Sequence, residues 1–260
     1  FIILAIATAL LFIPNLKNKH YVGIFLFAIY PIIAFFLLSG NESLGLEHVG
    51  THKWGGLFLT FLLGSIGIVF ALPLGIVLAL GRRSKLPVVS ILSVMFIEFW
   101  RGIPLITVLF FAAVMFPLFV PQGMEIDNLL RCIVGLTIFG GAYMAEVVRG
   151  GLQALPKGQY EAAQAVGLGY WRMTALVIMP QALRIVIPGI VNTFIGLFKD
   201  TTLVFIISLM DLLLTVFTSM SNPDWMGFPF EGYVFTALIY FAICFSLSRY
   251  SLRVEKKLMV

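Results

Sequence analysis

PKGQYEAAQAVGLGYWRMTALVIMPQALRIVIPG, residues 156–189, is the long polar-interrupted connection in a chain otherwise built of apolar runs. A structureless connection of that length is uncommon, so the stretch is expected to fold and to have a task of its own. Pro156-Lys157-Gly158 and Pro188-Gly189 punctuate its ends. Between them, Glu161, Ala162, Ala163, Gln164 and Ala165 predict a helix over 160–166, and Gly167-Leu168-Gly169 supplies positions of positive φ that can stop it. A second helix follows, with Trp171, Ala175, Ile178 and Ala182 at helical spacing, until Pro180 bends or ends the regular hydrogen bonding. The expectation is a helix, turn, helix element at a membrane surface. By itself it can lie on lipid, on another chain or on its own bundle.

The surroundings of this element define the class. Hydrophobic residues make up 60% of the chain and charged ones 11%, with a mean hydropathy of +1.04, which places it among multi-span membrane proteins. The net charge of +5 comes from basic residues scattered between apolar runs rather than gathered on one face, a pattern of membrane topology and not of nucleic-acid binding. Cys132 and Cys244 both lie in apolar runs and offer neither a disulfide framework nor metal-ligand spacing.

Residues 1–13 are apolar but shorter than the ~20 needed to span, so they read as the tail of a span that begins upstream. Further spans are predicted at 21–38, 54–80, 129–148, 190–217 and 232–247. The apolar stretch 87–120 is about 50 Å long if helical, against a hydrocarbon layer of about 30 Å, so it must break, and Gly102 and Pro104 mark the place. Thr137, Gly141 and Ala145 form a small-xxx-small face on which helix backbones can approach closely. With the turn at Lys17 inside, thirteen of the seventeen basic residues fall in the cytoplasm, Lys53 falls outside, and Arg101, Arg131 and Lys199 lie within spans. That bias puts residues 156–189 in the cytoplasm.

Charges inside spans carry the remaining information. Glu98 and Arg101 follow Pro87 by 11 and 14 residues, ~17 to 21 Å of helix, and Lys199 and Asp200 also fall near mid-membrane. Each central charge costs roughly 2.5 to 3.5 kcal/mol, tolerated only with partners or a wet cavity. Glu98 and Arg101, three apart, can pair on one helical face, whereas Lys199 and Asp200 point about 100° apart and must look elsewhere. Together they offer the cation and the anion that a zwitterionic amino acid needs. Arg131 and Glu146, near span ends, are expected to snorkel. His48 and His52, four apart beside Glu47, read as solvated loop residues rather than a metal site. No lysine follows a glycine, so there is no phosphate-cradling GxxxxGK[ST] loop, and no catalytic constellation stands out.

Four motifs in order carry a family resemblance: RGIPL at 101–105, AEVVRGGLQALPKG at 145–158, Glu161-Ala162-Ala163 with Gly167 and then Val177-Ile178-Met179-Pro180, and LFKDTTLV at 197–204. The third resembles the EAA loop of ABC importer permeases, with Val177 and Met179 in place of the family's Ile and Leu, and the others resemble its polar amino-acid branch. The resemblance covers about residues 54–257. It implies an all-α membrane protein with a type I ABC importer transmembrane domain: a five-helix core in residues 54–260, extra N-terminal spans in residues 1–53 as in the longer permease subunit of general L-amino-acid importers, and cytoplasmic coupling helices in 156–189. By that resemblance Glu161, Ala162, Ala163, Gly167 and Pro180 couple to an ATPase; Glu98, Arg101, Lys199 and Asp200, as charges near mid-membrane, are expected with Thr202 to line the substrate path. The implied partners are two ATPase subunits that bind ATP and Mg, a second and different permease chain, a periplasmic solute-binding protein and the lipid of a bacterial inner membrane. The chain itself is then no enzyme and carries no cofactor. A gradient-driven amino-acid carrier is the alternative, and it has no use for a docking hairpin.

Overall fold

The structure, a computed structural model, describes residues 40, 45, 47, 49–121, 123 and 126–258. The expected spans at 1–13 and 21–38, and residues Glu42 and His48, lie outside the described residues. The chain divides into two units, Phe1–Trp54 and Gly55–Val260. In the first, Thr51–Lys53 forms a 3-10 turn with His52 and Lys53 exposed.

The second unit is helical. Helix α1, Gly56–Arg82, continues through Pro73, and α2, Pro87–Gly102, begins with a proline that needs no amide partner in a first turn. Ile103 and Pro104 are extended, and α3 follows at Leu105–Phe119, bent from α2 by 100° at the break anticipated at Gly102 and Pro104. Helix α4, Asn128–Ala154, is capped by the Asp127 carboxylate, which accepts from the Leu129 amide. Four helical segments among the described residues are long and apolar enough to cross a membrane, Gly56–Arg82, Asn128–Ala154, Ile187–Ile207 and Pro229–Lys256, and the bent pair makes up to five.

Two of them form the centre. On α1 the small residues Gly67, Ala71, Gly75 and Ala79 recur every fourth position and are all buried. A Cβ on Gly67 would contact Leu136, one on Gly75 would lie 2.7 Å from the Met144 Cβ, and one on Gly140 would lie 3.2 Å from Ala71. Contacts that advance together along both chains mean parallel helices with backbones close enough for dispersion to act where no water is available to drive association. Of the α4 stripe expected from sequence, Gly141 and Ala145 are buried here, while Thr137 is half-buried with its hydroxyl oxygen unpartnered.

The expected single span at 190–217 is broken instead. Helix α7, Ile187–Asp200, tightens to a 3-10 helix at Thr201–Ile207, because the hydroxyls of Thr201 and Thr202 bond back to the carbonyls of Phe198 and Lys199. Ser208 is left-handed at φ 61°, and Asp211 then starts α8, Leu212–Met220. Asp211 is fully buried and satisfied: it accepts from the amides of Leu213 and Leu214 and from the Tyr240 hydroxyl of α9, Pro229–Leu258. The start of α1 is tied to the same place, since Gly56 N donates to Thr215 Oγ1 and Leu212 N donates to Thr60 Oγ1. Helix α9 also packs through Gly232 and buries Thr236 and Ser251, while Phe235, Leu238, Phe241 and Phe245 are all more than half exposed, a surface suited to lipid.

Candidate functional site

Residues 156–189 fold as two helices and the start of α7. Helix α5, Lys157–Ala165, ends at Gly167, whose φ is +80°. Leu168 N donates to the Ala163 carbonyl and Gly167 N to that of Gln164, the paired bonds that a left-handed residue after a helix end makes possible. Helix α6 spans 170–185 as Tyr170–Met173, a wider π turn at Thr174–Ile178, and Met179–Ile185. Pro180 does not end it. A π turn bonds residue i to i+5, so the local widening absorbs a proline that has no amide to give.

The π turn also changes which face is buried. An ordinary helical period places Trp171, Ala175, Ile178 and Ala182 together, but the buried positions are Met173, Thr174, Ile178, Met179 and Ala182, stepping by five across the wide turn. Trp171 is 74% exposed and Ala175 is exposed too. Of these, Met173, Ile178, Met179 and Ala182 join Ala163 of α5 and Ala79, Met144, Val148 and Leu152 of α1 and α4 in one apolar cluster, so the hairpin is seated on the C-terminal halves of the central helices. In the Glu161-Ala162-Ala163 run the seating falls to Ala163, at 4% exposure, while Glu161 and Ala162 point outward. Gly167 and Pro180 are exposed, and a Cβ on Gly167 would touch nothing among the described residues. Val166, Tyr170, Trp171 and Leu176 of the hairpin are each at least half exposed, with Tyr170 and Trp171 edge to face at 5.2 Å.

Behind the hairpin is a charge cluster whose full membership sequence reasoning missed. Glu146, taken for a snorkelling residue, is its centre: its carboxylate accepts from Arg82 Nη1 at 2.6 Å and from Arg149 at 2.7, 2.9 and 3.1 Å. Glu98 accepts from Arg82 at 3.0 Å. Arg101 stands 3.8 Å from Glu98 and 3.9 Å from Glu146, its guanidinium carbon 5.6 Å from the centre of the Tyr143 ring and its Nε without a partner among the described residues. Glu98 and Arg101 do pair at i, i+3, and Glu98 also reaches the end of α1. Arg82 is the last residue of α1, and Val89, Ser90, Ser93 and Glu98 of α2 all approach Gly81 or Arg82. Helix α2 therefore crosses the C-terminal end of α1, and length along α2 does not measure distance along α1.

The other charges settle differently. Arg131 does not snorkel: it donates to the carbonyls of Ala113 at 2.9 Å, Ala112 at 3.3 Å and Ile126 at 3.0 Å, and to the Asn128 side chain, closing carbonyls of the π turn at Phe111–Met115. Lys199 is exposed and Asp200 half-buried at the end of α7, and neither side chain forms an ion pair among the described residues. The Thr202 hydroxyl is bonded to the Lys199 carbonyl. A repeated Arg-Arg at 82–83 looked like a topology signal alone; its position immediately after a small-residue stripe is the feature that connects it to α4.

The profile of the binding-protein-dependent transport system inner membrane component matches residues 71–260. The chain belongs to this family. It is 60% identical over 229 residues to the inner membrane amino-acid ABC transporter permease protein YhdY of Escherichia coli K12, covering 88% of this chain and 62% of that one. It is 51% identical over 234 residues to the glutamate/glutamine/aspartate/asparagine transport system permease protein BztC of Rhodobacter capsulatus, covering 90% and 54%. The chain thus spans less than two thirds of the length of either relative. Among solved structures, an amino acid ABC transporter crystallised with histidines superposes with a TM-score of 0.68 at 29% identity, over 78% of this chain and 92% of that chain. The inward-facing MetNI methionine ABC transporter shares the fold, with a TM-score of 0.57 at 21% identity over 76% and 91% of the two chains. The all-α, type I importer architecture anticipated from the motifs is therefore the fold of this chain, in a family of multi-pass inner-membrane components.

Proposed function

We propose that the chain is the membrane-spanning permease part of an ATP-driven importer of L-amino acids, energised by a separate ATPase through α5 and α6. The observation that carries the reading is the hairpin. Ala163, Ile178, Met179 and Ala182 lock it to the long helices, while Val166, Tyr170, Trp171 and Leu176, with Glu161 and Ala162, are exposed on the same hairpin. An exposed apolar patch rimmed by polar groups is what a docking partner covers, and family membership supplies the kind of partner. Two ATPase subunits bind ATP and Mg. A second permease chain, different from this one, completes the pore, and a solute-binding protein delivers substrate from outside. Lys199, Asp200 and Thr202 belong to the path, with Glu98 and Arg101 at its cytoplasmic end.

Gly167→Val tests the coupling. A β-branched residue at φ +80° costs roughly 1 to 2 kcal/mol of backbone strain and, with open space around it, obstructs only a docked partner. The spans stay inserted, ATPase co-purification weakens and amino-acid uptake is lost. Full uptake by the variant removes the basis for assigning transmission to this hairpin, and a gradient-driven carrier becomes the better reading.

A further inference from the structure

The coupling hairpin and the α2 break are joined by a short chain of polar contacts through the end of α1. Tyr160 sits on α5. Its hydroxyl donates to the Leu152 carbonyl of α4 at 3.0 Å and accepts from Arg83 Nη1 at 3.0 Å, and the same Nη1 also donates to the Leu152 carbonyl at 3.0 Å. The Arg83 guanidinium carbon lies 5.5 Å from the centre of the Tyr160 ring. One peptide away, Arg82 Nη1 donates to Glu98 at 3.0 Å and to Glu146 at 2.6 Å, while its carbonyl accepts from Ser90 Oγ at 3.0 Å. Glu98 and Arg101 occupy the last turn of α2, directly before the 100° bend into α3.

We infer that Tyr160 and Arg83 are positioning residues that pass displacement of α5 to the α2 break, by way of Arg82 and Glu98. The inference rests on the coupling reading and says where the motion goes next. Arg82 and Arg83 terminate the same helix, so α1 cannot release one cluster without straining the other. Hydrogen bonds between fixed groups lose much of their strength once they open beyond normal bonding distance, which gives each contact two states, made or broken, rather than a gradual response. If α5 moves with a docked partner, the Tyr160 hydroxyl must either leave Arg83 behind or carry it. In the second case the Arg82 fork shifts against Glu98, and α2 turns at Gly102. Glu146, held by Arg149 from its own helix, is the fixed point against which the shift occurs.

Spatial adjacency alone is no evidence of energetic coupling, so the test is a double-mutant cycle on the assembled importer in membranes, using the full chain with its ATPase and binding protein. Tyr160→Phe keeps the ring and removes the hydroxyl; Glu98→Gln keeps the shape of a half-exposed side chain and removes its charge. Co-purification of ATPase, uptake of a radiolabelled amino-acid mixture, and ATP hydrolysed per amino acid moved are read for the wild type, both single variants and the double. The relay predicts unchanged ATPase association in all four. Uptake falls about tenfold in each single variant, the size expected for one lost hydrogen bond between transmitting groups, with a matching rise in ATP consumed per amino acid. The double variant falls no further than the worse single. Effects that multiply, or wild-type uptake in Tyr160→Phe, overturn the relay. ATPase lost on Tyr160→Phe also overturns it, because the hydroxyl then serves docking and the coupling reading stands without a relay. Absence of ATPase from the wild-type preparation overturns the coupling reading and the relay together.

Discussion

Glu146→Gln is the most informative single perturbation of the charge cluster. The carboxylate is 16% exposed and accepts four close bonds from Arg82 and Arg149, with Arg101 a further cation at 3.9 Å. A glutamine retains the side-chain volume and one acceptor oxygen, but it turns its NH2 group toward donors. Charge-assisted bonds contribute about 1.5 to 3 kcal/mol each, and removing one partner of a fully buried ion pair costs about 3 to 5 kcal/mol. The arginines here are 26 to 34% exposed, so water takes up part of the loss, and about 3 kcal/mol is the expected destabilisation. For a helical unit of this size that lowers the apparent thermal midpoint in detergent by about 6 to 12 °C, at 2 to 4 °C per kcal/mol. Glu98→Gln is the internal comparison: its carboxylate is 52% exposed with one close bond, at 3.0 Å, so it is worth less than about 1 kcal/mol and shifts the midpoint by a few degrees. Fluorescence-monitored melts of the two purified variants decide the matter. Equal midpoints, or a larger drop for Glu98→Gln, would refute the assignment of Glu146 as the centre of the cluster.

Two further outcomes are expected. In a background lacking Cys132 and Cys244, Gln159→Cys reacts with impermeant thiol reagents only from the cytoplasmic side and Ser221→Cys only from outside; labelling of Gln159→Cys in intact cells contradicts the orientation drawn from the basic residues. A Cβ on Gly151 would lie 2.5 Å from the Ala182 carbonyl oxygen of α6, so Gly151→Ala forces the hairpin off α4 and costs about 1 to 3 kcal/mol, whereas Gly150→Ala, with open space around it, is neutral or stabilising. A melt that ranks the two glycine variants in the opposite order contradicts the packing of α6 on α4.

The sequence by itself determined what depends on composition and on neighbours along the chain. Apolar runs outlined the long helices at 54–80, 129–148 and 232–247, and Gly102 with Pro104 located the α2 break because a missing amide and a missing side chain act within a turn. Gly167 was legible for the same reason, and its φ of +80° is a local property. The coupling motif, too, was readable as a pattern before any contact was known. Tertiary structure alone decided the rest. Arg82, Glu98 and Glu146 lie on three helices, and nothing in the spacing of one reports the others; a residue count from Pro87 takes α2 to run alongside α1, whereas it crosses the end of α1. The buried face of α6 escaped the helical period because a π turn, stabilised by what it packs against, steps by five where the pattern assumes an average of 3.6. Asp211 falls within the stretch expected to be a single span, and only the fold brings the first amides of α8 and the Tyr240 hydroxyl of α9 to its carboxylate. Local stereochemistry is written in adjacent residues, whereas the energy of a buried charge depends on whichever distant groups the fold brings within reach.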